Sequence, residues 1–189
     1  ARDAEILFSG FIPSLGTAFN LVSGKPGIRI HEGLDGLRIL YKDIIDSGKP
    51  IKLIRSFHDR ENPDVVQLID DHIKARIRRG ISAKVITHPT IDGAKFAAST
   101  DNDLLVERRI ITDAKFRSPA QVIVYSDKVS IVDMESLLIT TIIENKAIRQ
   151  SFEAMFDYIW SASEEGHNEI IRKYREANRK DQMHNPNFK

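Results

Sequence analysis

Short runs of β-branched residues alternate along this chain with longer stretches in which apolar residues recur every three or four positions. Ile28-Arg29-Ile30 and Ile51 to Ile54 read as strands, each introduced by the same turn signal, Ser23-Gly24-Lys25-Pro26 and Ser47-Gly48-Lys49-Pro50. Between them Leu37, Leu40, Tyr41 and Ile44 fall at helical spacing, with Asp35 as the expected N-cap and Gly48 just past the end. A second strand–helix–strand unit follows. Val66, Ile69, Ile73 and Ile77 form one helical face stopped by Gly80, and Ala83 to Ile86 is the next strand. His88 to Asp103 is polar and broken by Pro89, Gly93, Ser99 and Asn102, so it is expected to be a long loop.

The pattern then changes. Arg108 to Ile111, Gln121 to Tyr125, Lys128 to Val132 and Leu137 to Ile143 read as strands joined by tight turns, with a hairpin at Ser126-Asp127. Ile148, Phe152, Met155, Phe156 and Ile159, with Trp160, give a strong amphipathic helix. From Glu164 onward the chain is highly charged, and Ile170, Ile171 and Tyr174 support one more, weak helix before a tail expected to be disordered from Asp181. At the other end Ile6, Leu7, Phe11, Leu15, Phe19 and Val22 make an apolar stretch, with Pro13 suited to a first helical turn. That stretch is expected to pack on the domain or on a partner.

Composition narrows the function classes. The 189 residues, 41% of them hydrophobic, suffice for one domain with a core. There is no cysteine, which excludes disulfides, zinc–thiolate sites and thiol nucleophiles. With 28 basic and 27 acidic side chains the net charge is +1, less basic than a domain that grips nucleic acid by itself. No apolar run approaches the roughly 20 residues of a membrane span. A cytoplasmic protein is expected.

Most short motifs dissolve on inspection. Gly24-Lys25 and Gly48-Lys49 are each followed by Pro rather than Ser or Thr, and Phe19 and Asp43 stand where a phosphate loop needs its first Gly. The six His are scattered, and Asp101-Asn102-Asp103 has neither the Gly nor the closing Glu of a calcium loop, so no metal site or cofactor is expected. The basic run Lys74, Arg76, Arg78 and Arg79 sits where cations favour a helix C-terminus. The most informative segment is Ser126-Asp127-Lys128-Val129-Ser130-Ile131-Val132-Asp133. It resembles the phospholipase D signature His-x-Lys-x-x-x-x-Asp, with Ser126 at the nucleophile's place and Lys128 and Asp133 retained. An unactivated hydroxyl is a weak nucleophile at neutral pH. His72-Ile73-Lys74, the other His-x-Lys, has Arg79 where Asp is required.

The surrounding residues widen the resemblance. Gly24 to Gly36 (GKPGIRIHEGLDG) with Tyr41-Lys42-Asp43-Ile44-Ile45 is similar to the start of the C-terminal domain of TrmB-like transcriptional regulators. Ile123 to Ile131 (IVYSDKVSI) resembles that family's hairpin, and Ile142 to Ile148 (IIENKAI), continuing to Phe156 and Trp160, resembles its closing strand and final helix. The likeness covers roughly residues 23–162. It implies an α/β fold, a phospholipase D-like mixed β-sheet flanked by helices, occupying 23–163. Residues 1–22 would form an N-terminal linker or helix, and 164–189 a charged C-terminal helix and flexible tail.

It also implies a role. In such regulators a domain of this kind senses an effector (in some archaeal members a sugar) or dimerises. DNA is read by an N-terminal winged helix for which residues 1–22 leave no room. The expected protein is therefore a regulatory domain, not an enzyme, forming a homodimer and taking a sugar or an anion as effector, with no membrane partner. The alternative is a phospholipase D-superfamily phosphodiesterase or nuclease assembled across a dimer; a third reading is a dimerisation module without ligand. Open α/β sheets bind ligands at the carboxyl ends of their strands. The candidate ligand residues are therefore Glu32, Arg55, His58, Arg108 and Lys128. Ordinary strand-end salt bridging is the competing explanation for Glu32 and Arg108, and a paired strand edge for Lys128 and Asp133.

Overall fold

The structure is a computed structural model that describes residues 27–56, 58–89, 94–95, 97–98, 101–113 and 115–184, the side chains of 180–184 excepted. The apolar stretch expected over residues 6–22 lies outside these. The elements run β1 (Gly27–His31), α1 (Gly33–Ser47), β2 (Ile51–Ile54), α2 (Pro63–Arg78), β3 (Ala83–Thr87), β4 (Val106–Ile110), β5 (Ala120–Tyr125), β6 (Lys128–Asp133), β7 (Thr140–Glu144), α3 (Lys146–Ala162) and α4 (Glu164–His184). The strands form one seven-stranded sheet in the order β1-β7-β6-β5-β2-β3-β4. β2, β3 and β4 are parallel, while β5, β6, β7 and β1 join antiparallel. The amino ends of β2, β3, β4 and β6 therefore lie at one end of the sheet, together with the β5–β6 turn.

Side-chain alternation assigns the two faces. Ile51, Val85, Ile123, Val132 and Ile142 point to one face and form the main core with Leu37, Leu40, Tyr41 and Ile44 of α1 and Val65 and Ile69 of α2. Each such fully buried side chain contributes roughly 1.5–3 kcal/mol. The opposite face carries Ile86, packed with Ile111 and with Phe156 and Trp160 of α3. At the edge of the sheet, Ile171 of α4 packs on Ile110 of β4 and on Ala94.

Local chemistry sets the ends of the helices. Asn62 caps α2 by accepting from the amides of Asp64 and Val65, Pro63 opens the helix, and Arg76 and Arg78 close it. Gly48 ends α1 in the left-handed region at φ 61°. Several boundaries differ from the sequence reading. The cap of α1 is Glu32, three residues before Asp35, which lies in the first turn and pairs with Arg38. β4 starts at Val106 and β7 only at Thr140, because Leu137 is exposed and Leu138 takes a positive φ. The weak final helix is a 21-residue helix that runs to His184, past the Asp181 where disorder was expected. Part of the expected 88–103 loop lies outside the described residues.

The basic run on α2 is split by the fold. Arg76 is 2% exposed and donates to the carbonyls of Ile81, Leu104 and Leu105, whereas Arg78 and Arg79 face solvent. His72, one turn earlier, stacks on Tyr41 with ring centroids 4.2 Å apart. Burial, and then the nearby Arg76 charge, bring its pKa down to about 4. The unfolded chain thus binds a proton that the folded chain refuses. This part of the stability is full above the ordinary histidine value of about 6.5 and is lost as pH falls towards 4. Urea unfolding at pH 7.5 and 4.5 is expected to differ by about 2–3 kcal/mol more in the wild type than in His72→Phe. Burial lowers His31, His88 and His167 as well, so the comparison with the variant isolates His72. Equal pH slopes would refute the assignment.

Candidate functional site

The β5–β6 hairpin turns on two residues, Ser126 and Asp127, with Tyr125 and Lys128 paired across its base. Ser126 takes φ 48°, the left-handed conformation that such two-residue turns require. Its exposed side chain stands at the hairpin tip, not on the strand. Lys128 opens β6 on the face covered by α1, and its Nζ donates to both carboxylate oxygens of Asp43, at 3.0 and 3.1 Å. The Tyr125 hydroxyl donates to the same carboxylate at 2.9 Å, and Arg29 of β1 reaches it at 3.3 Å. The Lys128 side chain is 15% exposed and that of Asp43 23%. Burial alone would raise the Asp43 carboxyl. The hydrogen bonds from Lys128 and Tyr125, and the charges of Lys128 and Arg29, outweigh it and hold the pKa below the usual carboxylate range. Burial, then the Asp43 charge, push the Tyr125 phenol up, so it stays a neutral donor.

Asp133 closes the other end of β6. Its carboxylate accepts from the amides of Glu135 and Ser136 and from the Ser136 hydroxyl, and these bonds keep its pKa low. It shapes the turn into β7. It stands five positions along the strand from Lys128, about 16 Å away.

A cleft of about 820 Å³ lies at the amino ends of β2, β3 and β4, with Tyr125, Ser126 and Asp127 of the hairpin in its wall. Lys49, Lys52, Lys84 and Arg149 bring cations to it, and Asp127, Glu107 and Glu153 bring carboxylates. Lys52 is committed to Glu153 and Asp157 on α3, at 3.0 and 2.7 Å. Lys84 stands 5.1 Å from the Trp160 ring and only 3.7 Å from Glu107. Arg149 pairs with Glu153, and its Nε is buried with no hydrogen-bond partner. The expected pocket was at the carboxyl ends of the strands. Among the described residues at those ends, Ser56 donates to the Pro119 carbonyl and the His88 ring bonds the Phe116 carbonyl.

The five candidate residues do not converge on one site. Arg55 makes a two-pronged pair with Asp59, both bonds 2.7 Å, and His58 lies near Glu61, all beyond the carboxyl end of β2. Arg108 is held by Asp101, each side chain 8% exposed, where it anchors the turn before β4. Glu32 is exposed at the start of α1. Lys128 alone is at the cleft's end of the sheet. Sequence reasoning missed Asp43, Lys49, Lys52, Lys84 and Arg149. The available signal was Lys52 and Lys84, each a cation at the second position of an apolar strand.

No protein-family model matches the chain, and no curated protein matches it. Solved structures do, at low identity. One is TrmBL2, described as an archaeal chromatin protein with a novel mode of DNA binding: TM-score 0.50, 15% identity, 72% of this chain covered and 53% of that one. Another is NucT from Helicobacter pylori, with TM-score 0.49, 12% identity and coverage of 72% and 97%. A third is the polyphosphate kinase of Porphyromonas gingivalis, with TM-score 0.45, 11% identity and coverage of 76% and 24%. The chain has the phospholipase D-like α/β fold and spans about half the length of TrmBL2. The expectation of a protein that is not an enzyme is corrected here. The solved structures similar to this chain include one that is an enzyme by name, the polyphosphate kinase. Among the described residues no helix is long and apolar enough to cross a membrane.

Proposed function

We propose that this chain is the regulatory domain of a TrmB-like transcriptional regulator, and that a sugar or small anion in the cleft beside the β5–β6 hairpin is its effector. The Asp43 clamp is the observation that supports this most. The Lys of the phospholipase D signature holds a phosphate oxygen in the family's enzymes. Here the equivalent ammonium is occupied by a carboxylate of its own chain. The motif has become a tie between the hairpin and α1.

That tie gives an effector a route to the rest of the protein. A molecule in the cleft touches Ser126 and Asp127, next to Lys128. Lys128 holds Asp43 of α1, and Asp43 holds Arg29 of β1, the strand at which the chain enters the domain. An effector that fits one setting of the hairpin better shifts the whole set by its difference in affinity. DNA is then reached through a part of the parent protein outside this chain, in a homodimer.

Thermal unfolding against sugars, nucleotides and phosphate compounds tests the reading. An effector at about a hundred times its Kd adds about 2.7 kcal/mol, a rise in midpoint of roughly 5–10 °C for a domain of this size. The rise should disappear in Lys49→Ala/Lys84→Ala. A panel that leaves the midpoint unmoved argues against an effector. Hydrolysis of bis-p-nitrophenyl phosphate that Lys128→Ala abolishes would replace the regulator reading with a phosphodiesterase.

A further inference from the structure

A second concave region lies along α4, which packs on the edge strand β4 far from the clamp. It encloses about 380 Å³ and is lined by Arg172, Arg175 and Arg179 with His167, Asn168 and one carboxylate, Glu176. The three arginines are three and four residues apart, so they share one side of the helix and span about 10 Å of its axis. Their charges are poorly neutralised. Arg172 has a partner in Glu176 at 3.4 Å, with both side chains more than half exposed. Among the described residues no carboxylate lies within ion-pair distance of Arg175 or Arg179.

Two further observations distinguish this region from a merely solvated helix face. The first is His167, which is only 9% exposed and lines the groove. Its Nδ1 accepts the Ile110 amide at 3.2 Å, so the ring proton of the neutral imidazole is on Nε2. Burial, and then the charge of Arg109, keep the ring neutral. The groove that the three arginines line thus also has a neutral imidazole in its wall. The second is the anchoring of α4. Ile170, Ile171 and Tyr174 pack with Ala97 and Ile110, and Gly166 lies so close to Thr112 that a Cβ there would come within 2.7 Å of its Oγ1. These contacts hold the first half of the helix against β4 and so fix where the arginine-bearing side lies.

We infer that this groove binds a small phosphate-bearing anion, with Arg172, Arg175 and Arg179 as the charged donors and His167 and Asn168 as neutral ones. Three guanidinium forks offer more donors than a lone carboxylate can accept, and they match the oxygens of one or two linked phosphates. The volume lies within the range of small-ligand sites, roughly 300–1,000 Å³. The chain's net charge of +1 disfavours a long polyanion over a compact one. This site is separate from the cleft beside the hairpin and does not depend on it.

Titration calorimetry with inorganic pyrophosphate tests the inference. The wild type is expected to bind it saturably with a Kd below about 1 mM. Arg175→Gln/Arg179→Gln should weaken binding about tenfold or more, each lost charge-assisted bond contributing on the order of 1.5–3 kcal/mol. These arginines are exposed on α4, so the double variant should keep the wild-type circular dichroism. Lys74→Gln, on exposed α2 surface, should bind as the wild type does. No saturable binding by the wild type, or equal weakening in Lys74→Gln, overturns the proposal. So does a short DNA duplex whose binding needs Arg175 and Arg179 but is not displaced by pyrophosphate; that result would assign the groove to a nucleic-acid backbone.

Discussion

Arg76→Met is expected to destabilise the domain by about 3–5 kcal/mol, the usual cost of removing one partner from a buried charged network. Arg76 is a buried cation whose partners are main-chain carbonyls. Its Nη1 donates to Ile81 and Leu105 and its Nη2 to Leu104. These carbonyls belong to the turn after α2 and the turn before β4, so one side chain fastens both entrances to the parallel part of the sheet. Met fills a similar volume, which leaves the orphaned carbonyls as the main loss. Arg76→Lys should fall between the two, since one ammonium cannot reproduce the planar fork. Urea unfolding should show a lower midpoint with an unchanged slope. A Met variant within 1 kcal/mol of the wild type, on the order of an ordinary surface change, would show that the two turns hold themselves.

Removal of the clamp has the next largest effect. Asp43→Ala should cost about 3 kcal/mol, because Lys128, Tyr125 and Arg29 lose one shared acceptor. The loss should be partly recovered when Lys128→Met is added, with a coupling of roughly 1–3 kcal/mol in the double-mutant cycle. The sign of the pH dependence follows from the lowered Asp43 pKa. Its contribution is present above the unfolded carboxylate value, about 3.9, and is lost as pH falls through the folded one. In acid the wild type should therefore converge on Asp43→Ala. Additive single effects at neutral pH would mean that the ion pair is incidental.

Much of the architecture was legible because it is local. The hairpin at Ser126-Asp127 is announced by two β-branched runs and a turn of the length found, and Gly48 and Gly80 mark the helix ends where φ is positive. The two strand–helix–strand units show in plain periodicity. What stayed hidden is chemistry made by distant residues. Nothing near Lys128 in the chain points to Asp43, because the pair exists only once α1 lies across β6. Arg76 reads as a surface cation beside Arg78 and Arg79, and the carbonyls that draw it inside include those of a turn some thirty positions on. The cleft escaped for a third reason. The general preference for carboxyl ends of strands pointed away from it, and at that end Ser56 and His88 bond to residues 116–119.

The edge of the sheet carries a kinetic consequence. Among the described residues β1 hydrogen-bonds only to β7, Gly27 opposite Glu144 and His31 opposite Thr140, so the first and last of the described strands lie side by side. Of the described strands β1 is synthesised first, and its partner among them, β7, is synthesised last. Closing so long a loop is slow, and long-range pairings of this kind delay folding. In the interval Ile28 and Ile30, 53% and 64% exposed even in the finished fold, sit on an open backbone edge. The nascent chain is thus most prone to aggregation, and most dependent on chaperones, just before its last strand arrives.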